Sequence, residues 1–206
     1  MQDKGARMFR FLSTLMLAFA LAALGTDGAR AGGVRDAQGQ WRSGHIDEAS
    51  GKLYVAVYDA NELWVVDGAS GSRLNRIPVG AGPSAVAYDR VTGTLAVVNR
   101  MGDSVSLIDR AREQVLATVT VGKGPADVVA LDQGRFAVAE SFQDAIAVIR
   151  VDGALSYPYR GVPAVPTQLA AVGGYLAVAS PSSSRITLFP ESGGEPVRTL
   201  QLDHTP

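Results

Sequence analysis

At 206 residues, with 47% hydrophobic and 19% charged side chains, the chain has the make-up of a folded domain with a sizeable core, not of a disordered segment. A formal net charge of −1, with no run of Lys or Arg, argues against a sequence-independent grip on nucleic acid, which needs a concentrated basic face. The absence of cysteine excludes disulfides, thiolate nucleophiles, thiolate-held metals, covalently attached c-type haem and a cysteine-borne lipid anchor.

Residues 1–31 read as an export signal. Lys4, Arg7 and Arg10 make a basic start, the uncharged stretch from Phe11 to Gly25 follows, and Ala29-Arg30-Ala31 supplies an A-x-A cleavage site. Those 15 residues fall short of the roughly 20 that cross a bilayer, so the expectation is a cleaved signal that leaves no stable membrane anchor. Cleavage removes Lys4, Arg7, Arg10, Arg30, Asp3 and Asp27, leaving 15 basic and 18 acidic residues on a mildly acidic chain. Residues 32–43 form a poorly structured lead, with at most a weak strand around Trp41.

From residue 44 to residue 206 the sequence repeats with a period near forty, and a period in that range decides the fold. Gly82-Pro83 recurs as Gly124-Pro125 after 42 residues, and Leu53, Leu95, Phe136 and Leu176 step by 42, 41 and 40. Pro83, Pro125, Pro166 and Pro206 keep the same beat. Four copies result, about 44–80, 81–122, 123–159 and 160–206. In the second copy, short apolar runs at Ser84–Tyr88, Leu95–Asn99, Ser104–Asp109 and Val115–Val121 alternate with Gly- and Asp-bearing turns, the spacing of an antiparallel meander. The second run of each copy reads LYVAV, LAVVN, FAVAE and LAVAS. Such unbroken apolar runs predict strands covered on both faces. The fold class expected is all-β, a β-propeller of about four four-stranded antiparallel blades, because stacked blades cover one another's inner strands.

The repeat resembles the YVTN family of β-propeller repeats. The resemblance rests on Ala96-Val97-Val98-Asn99, Val105-Ser106-Leu107-Ile108-Asp109, Val115, Ala117-Thr118-Val119 and Val121-Gly122-Lys123-Gly124-Pro125 in the second copy. In the first copy it rests on Tyr54-Val55-Ala56-Val57, Leu63-Trp64-Val65-Val66-Asp67 and Ile77-Pro78-Val79-Gly80. The pattern then decays: Val57, Glu140 and Ser180 stand where the motif has Asn99, and Arg150 and Pro190 stand where it has Asp67 and Asp109. The family implies rings of about seven blades, so four copies amount to an incomplete ring. That means either a truncated copy of a longer propeller, the preferred reading, or a homodimer that completes the ring in trans.

In such a propeller, ligands meet the face formed by the loops between second and third strands and by the inter-blade loops. These are Tyr58–Glu62, Arg100–Asp103, Ser141–Asp144 and Pro181–Ser184, with Gly80–Pro83 and Gly122–Pro125 between blades. Asp59, Asn99, Arg100, Lys123, Glu140 and Phe142 are the candidate ligand-binding residues there, set against the plainer reading of solvated loop residues and blade-to-blade links. Asn99 and Glu140, at equivalent places in adjacent blades and with Asp59 nearby, are candidate oxygen ligands for Ca²⁺. Calcium takes six to eight oxygens, and the set is short of that number. No other cofactor is evident. His45 and His204 share no motif spacing, and Trp64 is expected to pack between blades. No nucleophile elbow, HExxH helix or phosphate loop is present.

The expected function is therefore a periplasmic or secreted scaffold that binds an unidentified protein or small molecule. The alternative is a propeller enzyme or enzyme subunit, either a lactonase-like hydrolase or part of a quinone- or haem-dependent oxidoreductase.

Overall fold

The computed structural model describes residues 44–47 and 49–202; the expected signal 1–31, the lead 32–43 and His204 lie outside them. The described residues form four antiparallel sheets of four strands, each strand paired with its neighbour in sequence. Blade I holds β1 (Gly44–Asp47), β2 (Lys52–Val57), β3 (Glu62–Asp67) and β4 (Arg73–Pro78). Blade II holds β5 (Pro83–Asp89), β6 (Thr94–Asn99), β7 (Ser104–Asp109) and β8 (Gln114–Thr120). Blade III holds β9 (Pro125–Leu131), β10 (Arg135–Glu140), β11 (Ala145–Arg150) and the two-residue β12 (Leu155–Ser156). Blade IV holds β13 (Gln168–Val172), β14 (Tyr175–Ser180), β15 (Arg185–Pro190) and β16 (Arg198–Gln201). The four runs read in the second copy fall on β5 to β8. The described residues form four successive propeller blades.

The turns show why the strands end where they do. The carboxylate of Asp89 accepts from the backbone amides of Val91 and Thr92, and that of Asp109 accepts from those of Ala111 and Arg112. Such local bonds bend the chain at no cost to the sheet ladder. Asp67 does the same for Ser70, whereas Arg150 and Pro190 at the corresponding strand ends cannot.

Packing between blades follows from the period-two geometry of a strand. One cluster joins Tyr54, Ala56, Leu63 and Val65 of blade I to Leu95, Val97 and Ile108 of blade II. A second joins Ala96, Val98, Val105 and Leu107 of blade II to Phe136, Val138, Ala147 and Ile149 of blade III. A third joins Ala137, Ala139, Ile146 and Val148 of blade III to Leu176, Val178 and Phe189 of blade IV. Even and odd residues of β6 thus serve different neighbours, and an unbroken apolar run is what that task requires. Each fully buried Leu, Val or Phe contributes about 1.5–3 kcal/mol, so the three seams are the main cohesion of the arc.

Trp64 departs from expectation. It lies on the face of blade I that looks away from blade II, only part-buried, with the Arg73 guanidinium 4.5 Å from its ring centre and its indole N–H donating to Glu62 at 2.7 Å. The reason is positional: blade I is the first of the described blades, so no described blade precedes it to cover this ring.

Candidate binding face

The loops after the second strands and the loops between blades are tied together at one end of the arc. Asn61, Asp103 and Asp144 each adopt a left-handed backbone, with φ of 55°, 44° and 51°. That conformation suits Asn and Asp better than most residues. Their side chains accept hydrogen bonds from the next inter-blade loop: Gly82 N–H to Asn61 at 2.9 Å, Gly124 N–H to Asp103 at 3.0 Å and Val165 N–H to Asp144 at 2.7 Å. From the other side, Arg100 N–H donates to the Gly82 carbonyl and Ser141 N–H to the Gly124 carbonyl. Each of those two inter-blade loops is therefore held by the blade before it and the blade after it. Sequence reasoning placed the loops and did not single out these three residues, although their spacing of 42 and 41 was a usable signal.

Over this stitched frame lie two exposed apolar side chains at equivalent positions, Met101 at 67% and Phe142 at 74% exposure. A Cβ on Gly82 would fall 2.6 Å from the Met101 side chain, and a Cβ on Gly124 would fall 2.6 Å from the Phe142 ring. Glycine is needed at both places, for the close approach and for φ of +63° and +64°. Arg100 sets its guanidinium 5.8 Å from the centre of the Phe142 ring and donates to the Pro125 carbonyl at 3.4 Å. Exposed Lys123 pairs with Asp103 at 2.6 Å, and together with the Gly124 amide it holds that carboxyl below the usual range. Asp59, exposed in the 3-10 turn Tyr58–Ala60, occupies the place that Met101 and Phe142 hold in the next two blades. Of the predicted residues, Arg100, Phe142 and Lys123 thus come together around the loop Gly122–Pro125. Asp59 lies one blade away from that group.

Asn99 and Glu140 are different. Both are fully buried. The Asn99 amide donates to Ser104 at 3.1 Å and to Ser106 at 2.9 Å, inside its own blade. One Glu140 oxygen accepts from the Gly122 amide at 2.7 Å and from the Tyr157 hydroxyl at 3.2 Å, while burial pushes its pKa up against both of those bonds. Asn99 Oδ1 and Glu140 Oε2 are left without a hydrogen-bond partner. Among the described residues no group of three or more His, Cys, Asp or Glu side chains could hold a metal ion. The glycines above these two side chains leave no room for a larger residue: a Cβ on Gly80 would meet Asn99 at 2.5 Å, and one on Gly122 would run into both Gln143 Oε1 and Glu140 Oε2. Of the other residues weighed from sequence, His45 packs against Tyr88 with ring centres 5.2 Å apart and the rings tilted by 52°.

No protein-family model matches the chain, and no curated protein matches it. Solved structures do. Hydrazine synthase of Kuenenia stuttgartiensis matches with a TM-score of 0.69 at 20% identity, over 77% of this chain and 48% of that one. The RRP9 WD40 repeats match at 0.69 and 14%, over 80% and 50%, and streptogramin B lyase at 0.68 and 15%, over 79% and 54%. These likenesses establish the class: the chain folds as β-propeller blades, and it spans about half the length of the structures it matches. The neighbours include enzymes and WD40 repeats, so the fold leaves the role open.

Proposed function

We propose that the chain is an exported propeller of the YVTN-repeat kind that acts as a binding scaffold, meeting a protein or small-molecule partner with the loop face around Met101 and Phe142. The observation that carries this reading is the pairing of two highly exposed apolar side chains with a stacked guanidinium on a doubly hydrogen-bonded frame. Aromatic, Met and Arg side chains are enriched in interface centres, and a frame already ordered loses little entropy on binding. The basic start, the apolar run and the A-x-A site of residues 1–31 support export.

Two measurements test it. The intact mass of the chain recovered from the periplasm or medium is expected to begin at Gly32; retention of the full-length chain in the cytoplasm contradicts export. For binding, extracellular and periplasmic extracts are passed over immobilised wild type, Phe142→Ala, Arg100→Ala and Val91→Ala. Val91 is 88% exposed in the turn at the other end of blade II. A component retained by wild type and Val91→Ala and lost by the other two supports the reading. Retention unchanged by Phe142→Ala and Arg100→Ala removes this face from consideration, and turnover of a substrate by the wild type would favour an enzymatic role instead.

A further inference from the structure

The three inter-blade loops among the described residues are built alike except at one position. Gly82, Gly124 and Val165 each donate their amide to the Asn or Asp side chain of the loop before them, and each precedes a buried proline. All three are left-handed, with φ of 63°, 64° and 52°. Glycine adopts that conformation freely, whereas a β-branched residue there is a steric outlier. Val165 is the one β-branched residue at positive φ among the described residues.

The side chain facing each loop shows how the valine fits. Met101, Phe142 and Ser182 hold equivalent places: the amides of Met101 and Phe142 donate to the Ala81 and Lys123 carbonyls, and the Ser182 hydroxyl donates to the Ala164 carbonyl. Where Met101 or Phe142 lies across the loop, a Cβ on the glycine beneath would fall 2.6 Å from it. Ser182 has no long side chain to lay there, and Val165 supplies the apolar group itself, 37% exposed. Each junction thus carries an exposed apolar side chain, taken from the later blade at the first two and from the loop at the third. Sterics permits this exchange without calling for it. Glycine beside Ser182 would fold with less strain, and backbone strain of this kind clusters at ligand clamps.

We infer that Val165 is a third anchor of the loop face, and that the row Met101, Phe142, Val165 takes an apolar segment of a partner protein laid across three successive blade junctions. The inference rests on the loop-face reading given above and adds to it the extent of the site and the kind of partner. Small-molecule sites are concave and enclose most of their ligand. These three side chains instead stand on loops, 67%, 74% and 37% exposed, where a second protein surface can cover them. The Arg100 guanidinium, which among the described residues donates only to the Pro125 carbonyl at 3.4 Å, keeps donors for backbone carbonyls of that segment. At the equivalent place in blade I stands the charged Asp59, so the apolar row ends at Met101.

The test is a selection of displayed random linear peptides on the immobilised chain, followed by titration of the selected peptides against variants. The expected peptides are apolar and bind wild type and Val91→Ala equally. They bind Phe142→Ala more weakly, and they bind Val165→Gly and Val165→Asn about fivefold more weakly, the loss of part of one valine contact. Both replacements at residue 165 suit a left-handed backbone. Neither variant therefore melts below wild type, and Val165→Asn melts about 2–4 °C above it. Weaker binding by a protein that is no less stable is a result that a purely structural role for Val165 does not produce. Peptides that need Phe142 but bind both Val165 variants as tightly as wild type overturn the inference and leave the loop face standing. Peptides indifferent to Phe142 and Val165 alike count against both. A selection that yields no peptide overturns the apolar-segment partner. A fall in melting temperature in both Val165 variants overturns the inference as well, because the valine is then held for packing.

Discussion

β6 in blade II and β14 in blade IV read almost alike, TLAVVN and YLAVAS, yet every residue of the first is buried and only alternate residues of the second are. The strands obey the same local chemistry and differ in their company. Blade II has a neighbour on each side, so both sets of alternating side chains are covered; among the described residues blade IV is covered by blade III alone. Burial is therefore a property of the seam, and a strand's own sequence records only its capacity for it. Blade I repeats the lesson from the other end, where no described blade precedes it and Trp64 lies under Arg73 and beside Glu62.

The sharpest way to break that comparison uses a matched pair. Ile146 and Ile186 are the second residues of the third strands of blades III and IV, the first 1% exposed and the second part-buried on the face that no described blade covers. Ile146→Ala is expected to cost about 2–5 kcal/mol by urea unfolding. Ile186→Ala, on the face that no described blade covers, costs about 1 kcal/mol. Equal costs would show that blade IV is packed from a second side. The next largest effect lies at the inner ends of the second strands. Gly122→Ala drives a methyl into Glu140 and Gly80→Ala drives one into Asn99, each costing about 1–3 kcal/mol through overpacking. The corresponding residues at blade IV are Pro163 and the small Ser180. A neutral Gly122→Ala would mean that both Glu140 and Gln143 can move aside.

Much of this was legible in the sequence because the fold is periodic. A beat of 42, 41 and 40 fixes equivalent positions, and the unbroken runs at Leu95–Asn99 and Phe136–Glu140 announce two-sided burial. The same runs at Leu53 and Leu176 announce a two-sided burial that the described residues do not show, because a period says what a blade can pack against and is silent on which faces a neighbour covers. At the loop face, Arg100 and Phe142 were readable as exposed loop residues of opposite character. Their stacking was not readable, since it depends on Gly124 at left-handed φ letting the Phe142 ring lie across the inter-blade loop. Asn99 and Glu140 looked like a pair of ligands because they are equivalent in sequence. In the fold each is turned to its own partners, the serines of β7 for one and Gly122 and Tyr157 for the other.

A smaller effect is expected at the loop stitches. Asp103→Ala removes the acceptor for the Gly124 amide and the partner of Lys123 and puts Ala at φ of 44°, and costs about 1–2 kcal/mol, from the amide and the backbone strain, since an exposed ion pair contributes little. Lys123→Ala is the control, at under about 0.5 kcal/mol. A comparable loss in both would mean that the ion pair and not the backbone bond holds the loop. The matching position in blade IV is Ser184, left-handed at φ 51°.

The least of these effects shows only as a dependence on pH, and it separates buried Glu140 from the uncharged Asn99 at the same position one blade earlier. Burial raises the Glu140 pKa above the ordinary carboxylate value, although the Gly122 and Tyr157 bonds pull the other way. The folded state therefore binds its proton more tightly than the unfolded chain does. Stability from this group is fully present below the unfolded carboxylate pKa of about 4.3 and is lost as pH rises through the folded value. Glu140→Gln keeps an oxygen to accept from Gly122 and Tyr157 and carries no charge at any pH. Urea unfolding of both chains from pH 4 to pH 7.5 is expected to show the variant gaining on the wild type as pH rises, by about 1.4 kcal/mol for each unit of pKa shift. A difference that stays flat over that range would mean the carboxylate is solvated, and would open the inner end of blade III to water as the inner end of blade II is not.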